Sequence, residues 1–272
     1  MARRSSRSAE SGAPALRALV TGASSGIGAA FARALKARGE QLVLVARRAE
    51  RLQELVGELG GESVATAIPT DLTRPGSIPG LEKELRSRGL AVDLLLNNAG
   101  LGHTGHFAEE PLDRVLGMID LNVRAAAELA RTFLPGMLER GRGGIINVVS
   151  TSAFQPVPFF AVYAASKAFL LSLTEALATE VQGTGVRIQA LCPGLTATEF
   201  QEVAETDRVA FNRTGTMSPE DVVAASLRAF DRGDLRVIPG FSNRLLAEVQ
   251  GWLPRSLVRR VAGELFRPRS SS

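Results

Sequence analysis

Leu16-Arg17-Ala18-Leu19-Val20-Thr21-Gly22-Ala23-Ser24-Ser25-Gly26-Ile27-Gly28 joins a short apolar run to three glycines spaced Gly-x-x-x-Gly-x-Gly. Leu16 to Val20 has the length and composition of a buried strand, and Ile27 to Arg38 carries its apolar residues at helical intervals. Glycines between a strand and a helix permit a tight turn, bare the backbone N–H groups at the helix N-terminus and let the two elements pack closely. Those N–H groups suit a pyrophosphate, so Gly22, Ser24, Ser25, Gly26, Ile27 and Gly28 are read as dinucleotide contacts. The spacing departs from the general Gly-x-Gly-x-x-Gly fingerprint, so the reading needs support from the rest of the chain.

Outward from this turn, apolar runs and helical periods alternate. Gln41 to Ala46 reads as a strand, Ala49 to Leu59 as a helix, Ser63 to Pro69 as a strand, Ile78 to Arg88 as a helix and Val92 to Leu96 as a strand. A long helix from about Pro111 to Glu139, a strand from Gly144 to Val149 and a helix from about Phe160 to Val181 follow. A strand from Val186 to Leu191, a further helix and a short strand at Leu235 to Ile238 complete the pattern. Such alternation implies right-handed crossovers and a parallel sheet covered on both faces. The expectation is an α/β fold of Rossmann type, a doubly wound parallel sheet of about seven strands forming one catalytic domain over residues 15–240. A disordered Ser/Arg-rich tail is expected at 1–14 and a helical extension at 241–272.

Ligands of these sheets bind beyond the carboxyl ends of the strands, which gives weight to the residues found there. The second strand ends in Ala46-Arg47-Arg48, where an NAD site would place an acid for the ribose diol. Arg47 instead suits a 2′-phosphate through charge-assisted hydrogen bonds, which favours NADP(H) over NAD(H). Asp71 and Leu72 follow the third strand, with Asp71 a candidate acceptor for the adenine amino group. Asn98, Ala99 and Gly100 follow the fourth, and their small size lets the backbone approach a cofactor. Ser150 ends the fifth strand. Tyr163, the only tyrosine, stands four residues before Lys167, one of three lysines among 32 basic residues. On a helix that spacing puts both side chains on one face, and a nearby cation favours phenolate, which makes Tyr163 a candidate proton donor and acceptor.

Taken in order, these motifs resemble the short-chain dehydrogenases/reductases over roughly residues 16–240. The glycine turn is similar to that family's cofactor turn, Asn97-Asn98-Ala99-Gly100 to its central motif, and Ser150, Tyr163 and Lys167 to its catalytic triad. Asn122 matches the fourth catalytic position, and Pro193-Gly194-Leu195-Thr196-Ala197-Thr198 matches the stretch folded over the nicotinamide. The resemblance implies hydride transfer between NADP(H) and a carbonyl or secondary alcohol. Tyr163 would donate the proton, Ser150 would hold the oxyanion, and Lys167 would both tune the phenol and bind the nicotinamide ribose. Asn122 would hold a water linking Lys167 to solvent. Pro193, Gly194 and either Thr198 or Thr196 would contact the cofactor, Thr198 being preferred for the carboxamide. A homodimer or homotetramer is implied as well, often through the long helices bearing Asn122 and Tyr163.

Composition narrows the alternatives. The formal charge is +4, yet residues 1–12 contribute +2 and residues 241–272 contribute +4, which leaves about −2 for the rest. A core without a basic face lacks the footprint of a nucleic-acid binder. One cysteine, Cys192, excludes an internal disulfide framework, and no run approaches 18 uninterrupted apolar residues, so a cytoplasmic protein is expected. His103 and His106 lack an acidic or cysteine partner at ligand spacing, so no metal is expected. Leu101 to Phe107, Thr151 to Val162 and Leu195 to Met217 are expected to wall a pocket for an apolar ketone, aldehyde or 3-oxoacyl compound. From Phe241 to Arg267, Leu245, Leu246, Val249, Trp252, Leu253, Leu257, Val258, Val261, Leu265 and Phe266 recur at helical intervals among arginines. Helices packed on the domain or on a second subunit are the first expectation, and a basic amphipathic surface for an anionic membrane is the second. The full Ser150, Tyr163 and Lys167 set and the roughly 80 residues after Cys192 disfavour two rival activities. A non-catalytic NADP(H)-binding regulator would have a broken Ser/Tyr/Lys set, and a sugar-nucleotide epimerase or dehydratase would have a larger C-terminal substrate domain.

Overall fold

Alternate residues of the central strands point into different packing layers, which is how a sheet buried on both faces arises. Ala18 and Val20 of β1 (Arg17–Thr21) pack in one apolar cluster and Leu19 in the other. The same division holds for Leu42 and Leu44 against Val43 and Val45 in β2 (Gln41–Ala46), and for Leu94 and Leu96 against Leu95 in β4 (Leu94–Asn97). Near-continuous apolar runs were therefore sufficient to mark these strands. The chain is seen in a computed structural model that describes residues 16–200, 204, 216–250 and 253–267. The expected tail at 1–14, most of the stretch from 201 to 215, and Trp252 lie outside the described residues.

With β3 (Ala65–Pro69), β5 (Gly143–Val148), β6 (Val186–Leu191) and β7 (Arg236–Val237), the strands form one parallel sheet in the order β3-β2-β1-β4-β5-β6-β7. Helices α1 (Gly26–Ala37) and α2 (Ala49–Leu59) cover one face, joined there by α7 (Pro219–Arg232). The other face carries α3 (Ser77–Ser87), α5 (Ala126–Glu139) and α6 (Ala161–Glu180). The strand order reverses between β1 and β4, and the crevice at their carboxyl ends is where a doubly wound sheet takes its ligand.

The expected long helix is interrupted. α4 (Leu112–Ile119) passes into a π-helical segment, Asp120–Ala125, before α5 begins. Such bulges recur at functional sites, and this one holds Asn122. α6 is long and apolar enough, by length and composition alone, to cross a membrane, but Tyr163, Ala164, Lys167 and Leu170 are buried in the domain. The extension forms α8 (Phe241–Gln250) and α9 (Arg255–Phe266).

Candidate active site

The glycine turn is held by the end of β4. Thr21 Oγ1 donates to the Leu96 carbonyl at 3.1 Å and accepts the Asn98 and Ala99 N–H groups at 3.0 Å each. Asn98 Nδ2 donates to the Thr21 carbonyl at 2.8 Å. Gly22 and Gly26 have φ of 65° and 54°, the left-handed region open to glycine. Ser25, at the N-cap of α1, makes no side-chain cap hydrogen bond, so the first N–H groups of α1 are not spent on it. Gly28 sits behind the residues that line the cavity. A Cβ there would lie 2.3 Å from the Gly22 carbonyl oxygen, so its role is to let α1 pack against the turn.

One cavity of about 510 Å³ runs from this turn to the end of β5. Gly22, Ser24, Ser25, Gly26, Ile27, Arg47, Asp71, Leu72, Asn98, Ala99 and Gly100 line it, as do Pro193, Gly194, Thr196 and Thr198. Arg47 makes no hydrogen bond or ion pair among the described residues, although its charge helps depress Asp71. The larger influence on Asp71 is the Thr73 hydroxyl, which donates to its carboxylate at 2.7 Å. Arg48, which the sequence reading passed over, donates to Ser24 Oγ and Ser25 Oγ at 3.1 Å each and pairs with Glu199 at 3.1 Å. Glu199 also pairs with Arg51, so one carboxylate ties the Thr198 stretch to α2 across the cavity. Thr198 lies over the turn, with its Cγ2 3.0 Å from where a Gly26 Cβ would be, and Thr196 Oγ1 donates to the Gly194 carbonyl at 3.2 Å.

At the other end Ser150, Tyr163 and Lys167 converge on the same cavity, all three buried. Ser150 caps a 3-10 turn, Thr151–Phe154, by accepting the Ser152 N–H at 3.1 Å, and its hydroxyl lies near enough to the Tyr163 phenol to favour the phenolate. Lys167 Nζ lies 5.6 Å from the Tyr163 ring centroid and donates to the Val148 carbonyl at 2.8 Å. The expected lowering of the phenol pKa by this cation is not what dominates: burial pushes Tyr163 up to about 12, against the pull of Ser150. Burial also pulls Lys167 down to about 8.

Asn122 does not line the cavity. Its Oδ1 accepts the Leu101 N–H at 2.9 Å, and its Nδ2 donates to the Leu101 carbonyl at 2.8 Å and to Ser166 Oγ at 3.0 Å. It therefore fastens the loop after β4 to α6.

The pocket beside Tyr163 is aromatic and is built from distant segments. Phe160 stacks on Tyr163 at 4.3 Å between centroids and on Phe266 of α9 at 5.7 Å, while Phe200 tilts against Tyr163 at 5.4 Å. Asn243, Leu246, Ala247, Leu265 and Phe266 all line the cavity. The extension thus packs on the domain, the first of the two expectations for it, and adds a cavity wall beyond the three expected segments, since helical periodicity carries no information about what a helix packs against. His103, expected to lack an acidic partner, has Glu110 Oε1 3.0 Å from its Nδ1. Among the described residues, however, no three metal-ligating side chains cluster.

Comparison with known proteins agrees with this geometry. A short chain dehydrogenase family model matches residues 17–209. A ketoacyl reductase, HetN of Nostoc sp., is 35% identical over 223 residues, covering 81% of this chain and 77% of its own. A short-chain dehydrogenase from Sphingobium yanoikuyae, solved in complex with NADPH, matches with a TM-score of 0.78 and 34% identity over 94% of this chain and 98% of its own. A bulky-bulky ketone specific alcohol dehydrogenase from Comamonas testosteroni matches with a TM-score of 0.74 and 31% identity over 94% and 96%.

Proposed function

The chain belongs to the short-chain dehydrogenase/reductase family of oxidoreductases, and from that premise we propose that it uses NADP(H) to reduce a bulky hydrophobic ketone or 3-oxoacyl compound. The observation that carries the reading is a single cavity with Arg47 and the glycine turn at one end and Ser150, Tyr163 and Lys167 at the other. The residues fit a dinucleotide: Gly22 and Gly26 line the cavity at the N-terminus of α1, where N–H groups are open to phosphate, and Arg47 is unspent at the place a 2′-phosphate would reach. When bound, the cofactor supplies the hydride. Tyr163 Oη donates a proton to the substrate oxygen as the carbonyl becomes an alcohol, and burial keeps that proton on the phenol at neutral pH. Ser150 Oγ donates to the same oxygen as charge develops on it, a contribution worth about 3 kcal/mol in comparable sites. Lys167 holds positive charge beside the phenol and reaches the floor of the cavity, and Asn122 positions the loop that closes over it.

The substrate class rests on Leu101, Phe160, Phe200 and Phe266, which line the cavity and make its end beside Tyr163 apolar and partly aromatic. The ketoacyl reductase and the bulky-ketone dehydrogenase among the relatives support the same class. NADPH oxidation measured against ketones, aldehydes, quinones and 3-oxoacyl thioesters tests it. Turnover should be greatest with large apolar ketones or 3-oxoacyl thioesters. Tight NADPH binding without oxidation by any member of the panel would contradict the proposal.

A further inference from the structure

Eight of the fifteen large apolar side chains exposed among the described residues lie between Phe241 and Leu265, and their placement inverts the usual rule for a surface helix. In α8 the partly buried positions are Asn243 and Ala247, four residues apart, whereas Leu245, Leu246 and Val249 are exposed. In α9 Val258 and Ala262 are buried at the same spacing. Leu257, Val261 and Leu265 form a second stripe on α9, 45%, 52% and 49% exposed, which is too open to be a fringe of the core. Leu246 and Leu265 also line the cavity, so the apolar stripe of each helix runs into the pocket mouth.

Charge selects the occupant of this face. Residues 241–267 carry Arg244, Arg255, Arg259, Arg260 and Arg267 against Glu248 and Glu264, a net +3. Arg244 pairs with Glu248 and Arg267 with Glu264. Arg255, Arg259 and Arg260 make no ion pair among the described residues; Arg260 stands beside the Leu257 and Val261 stripe, and Arg255 and Arg259 border the buried Val258 and Ala262 side of the helix. Two copies of such a face would repel each other, while an anionic lipid surface would attract it. The exposed stripe of α4, Leu112, Leu116 and Ile119, has Asp113 balanced by Arg114 and is the better seat for a second copy.

We propose that α8 and α9 dock this protein on an anionic phospholipid bilayer. Leu257, Val261 and Leu265 enter the boundary between headgroups and acyl chains, Arg260 beside them meets lipid phosphates, and the remaining positive charge of Arg255 and Arg259 adds to the attraction of the anionic surface. Docking turns the pocket mouth toward the apolar phase. Only that route of substrate entry rests on the reaction proposed above, and the test does not use turnover.

The full chain is sedimented with vesicles of phosphatidylglycerol and phosphatidylcholine, and with phosphatidylcholine alone. Binding to the anionic vesicles should be stronger by about tenfold or more and should fall as salt rises. Leu257→Glu/Val261→Glu and Arg259→Glu/Arg260→Glu should each lose it, with thermal melting as in the unaltered chain, because none of the four lines the cavity. The proposal falls if the chain stays in the supernatant, if it binds neutral vesicles equally well, or if both variants bind like the unaltered chain. It also falls if Leu257→Glu/Val261→Glu breaks an oligomer that never bound vesicles, which would assign the face to a second copy.

Discussion

Tyr163 and Lys167 ionise against their usual habit because both are buried, one pushed up to about 12 and the other down to about 8. For Lys167 the folded value lies below the unfolded value of about 10.5, so the fold bears the full cost of a buried ammonium below about pH 8. Between about pH 8 and 10 the unfolded chain binds the extra proton at Lys167, a contribution that raises stability with pH by on the order of 2–3 kcal/mol, while Cys192, pushed up to about 12 by burial, works against it above about pH 9. Lys167→Met should remove that rise while abolishing turnover, as urea unfolding at the two ends of the window would detect. An unchanged slope would mean that Lys167 is not the buried charge. Tyr163 works in the opposite sense, losing stability as pH climbs above about 10, where the unfolded phenol ionises first. At the adenosine end, Arg47→Ala should weaken NADPH by about ten- to a hundredfold, the worth of a charged hydrogen bond, and NADH very little. Equal weakening in calorimetry would remove the 2′-phosphate role. The pair Tyr163 and Lys167 was legible because both residue types are rare in this chain. Their ionisation was not, because desolvation depends on what covers them.

The strands and most helices were legible to within about two residues, since a strand buried on both faces is an apolar run and a helix is a period. The π-helical segment was not: Asp120-Leu121-Asn122-Val123-Arg124-Ala125 continues the helical pattern, and the shift in hydrogen bonding leaves no mark in residue type. Its effect is local and functional, because it brings Asn122 against both backbone groups of Leu101. The three glycines of the turn also proved unequal. Gly22 and Gly26 supply conformations, whereas Gly28 supplies contact, a distinction that spacing alone conceals. In Gly28→Ala the new methyl meets backbone at the Gly22 carbonyl, and at Asn98 Nδ2 2.7 Å away. The cost should be about 1–3 kcal/mol, with α1 displaced from the turn and cofactor affinity lost. A variant that melts and binds like the unaltered chain would show that the turn has slack.

At the scale of the whole molecule, the pocket draws on both ends of the chain. Phe160 and Phe266 are a hundred residues apart in sequence and stack at 5.7 Å, a pairing that no local pattern announces. The extension reads as amphipathic in the sequence and packs on the domain through Asn243, Ala247, Val258, Ala262 and Phe266, but most of its leucines and valines remain exposed, and periodicity alone does not tell which apolar residues turn inward. The apolar stripe on α4, joined by exposed Phe169 of α6, is the surface we assign to a second copy. Leu116→Glu should reduce the mass seen by light scattering, and an unchanged mass would move the interface elsewhere. The central claim is that Tyr163 is the proton donor of an NADP(H)-dependent carbonyl reduction. It is tested most directly by Tyr163→Phe, comparing NADPH affinity and turnover on the best ketone found. Affinity should be kept while turnover falls by about a hundredfold or more, the scale of a lost general acid. Turnover above about a tenth of the unaltered rate would contradict the account.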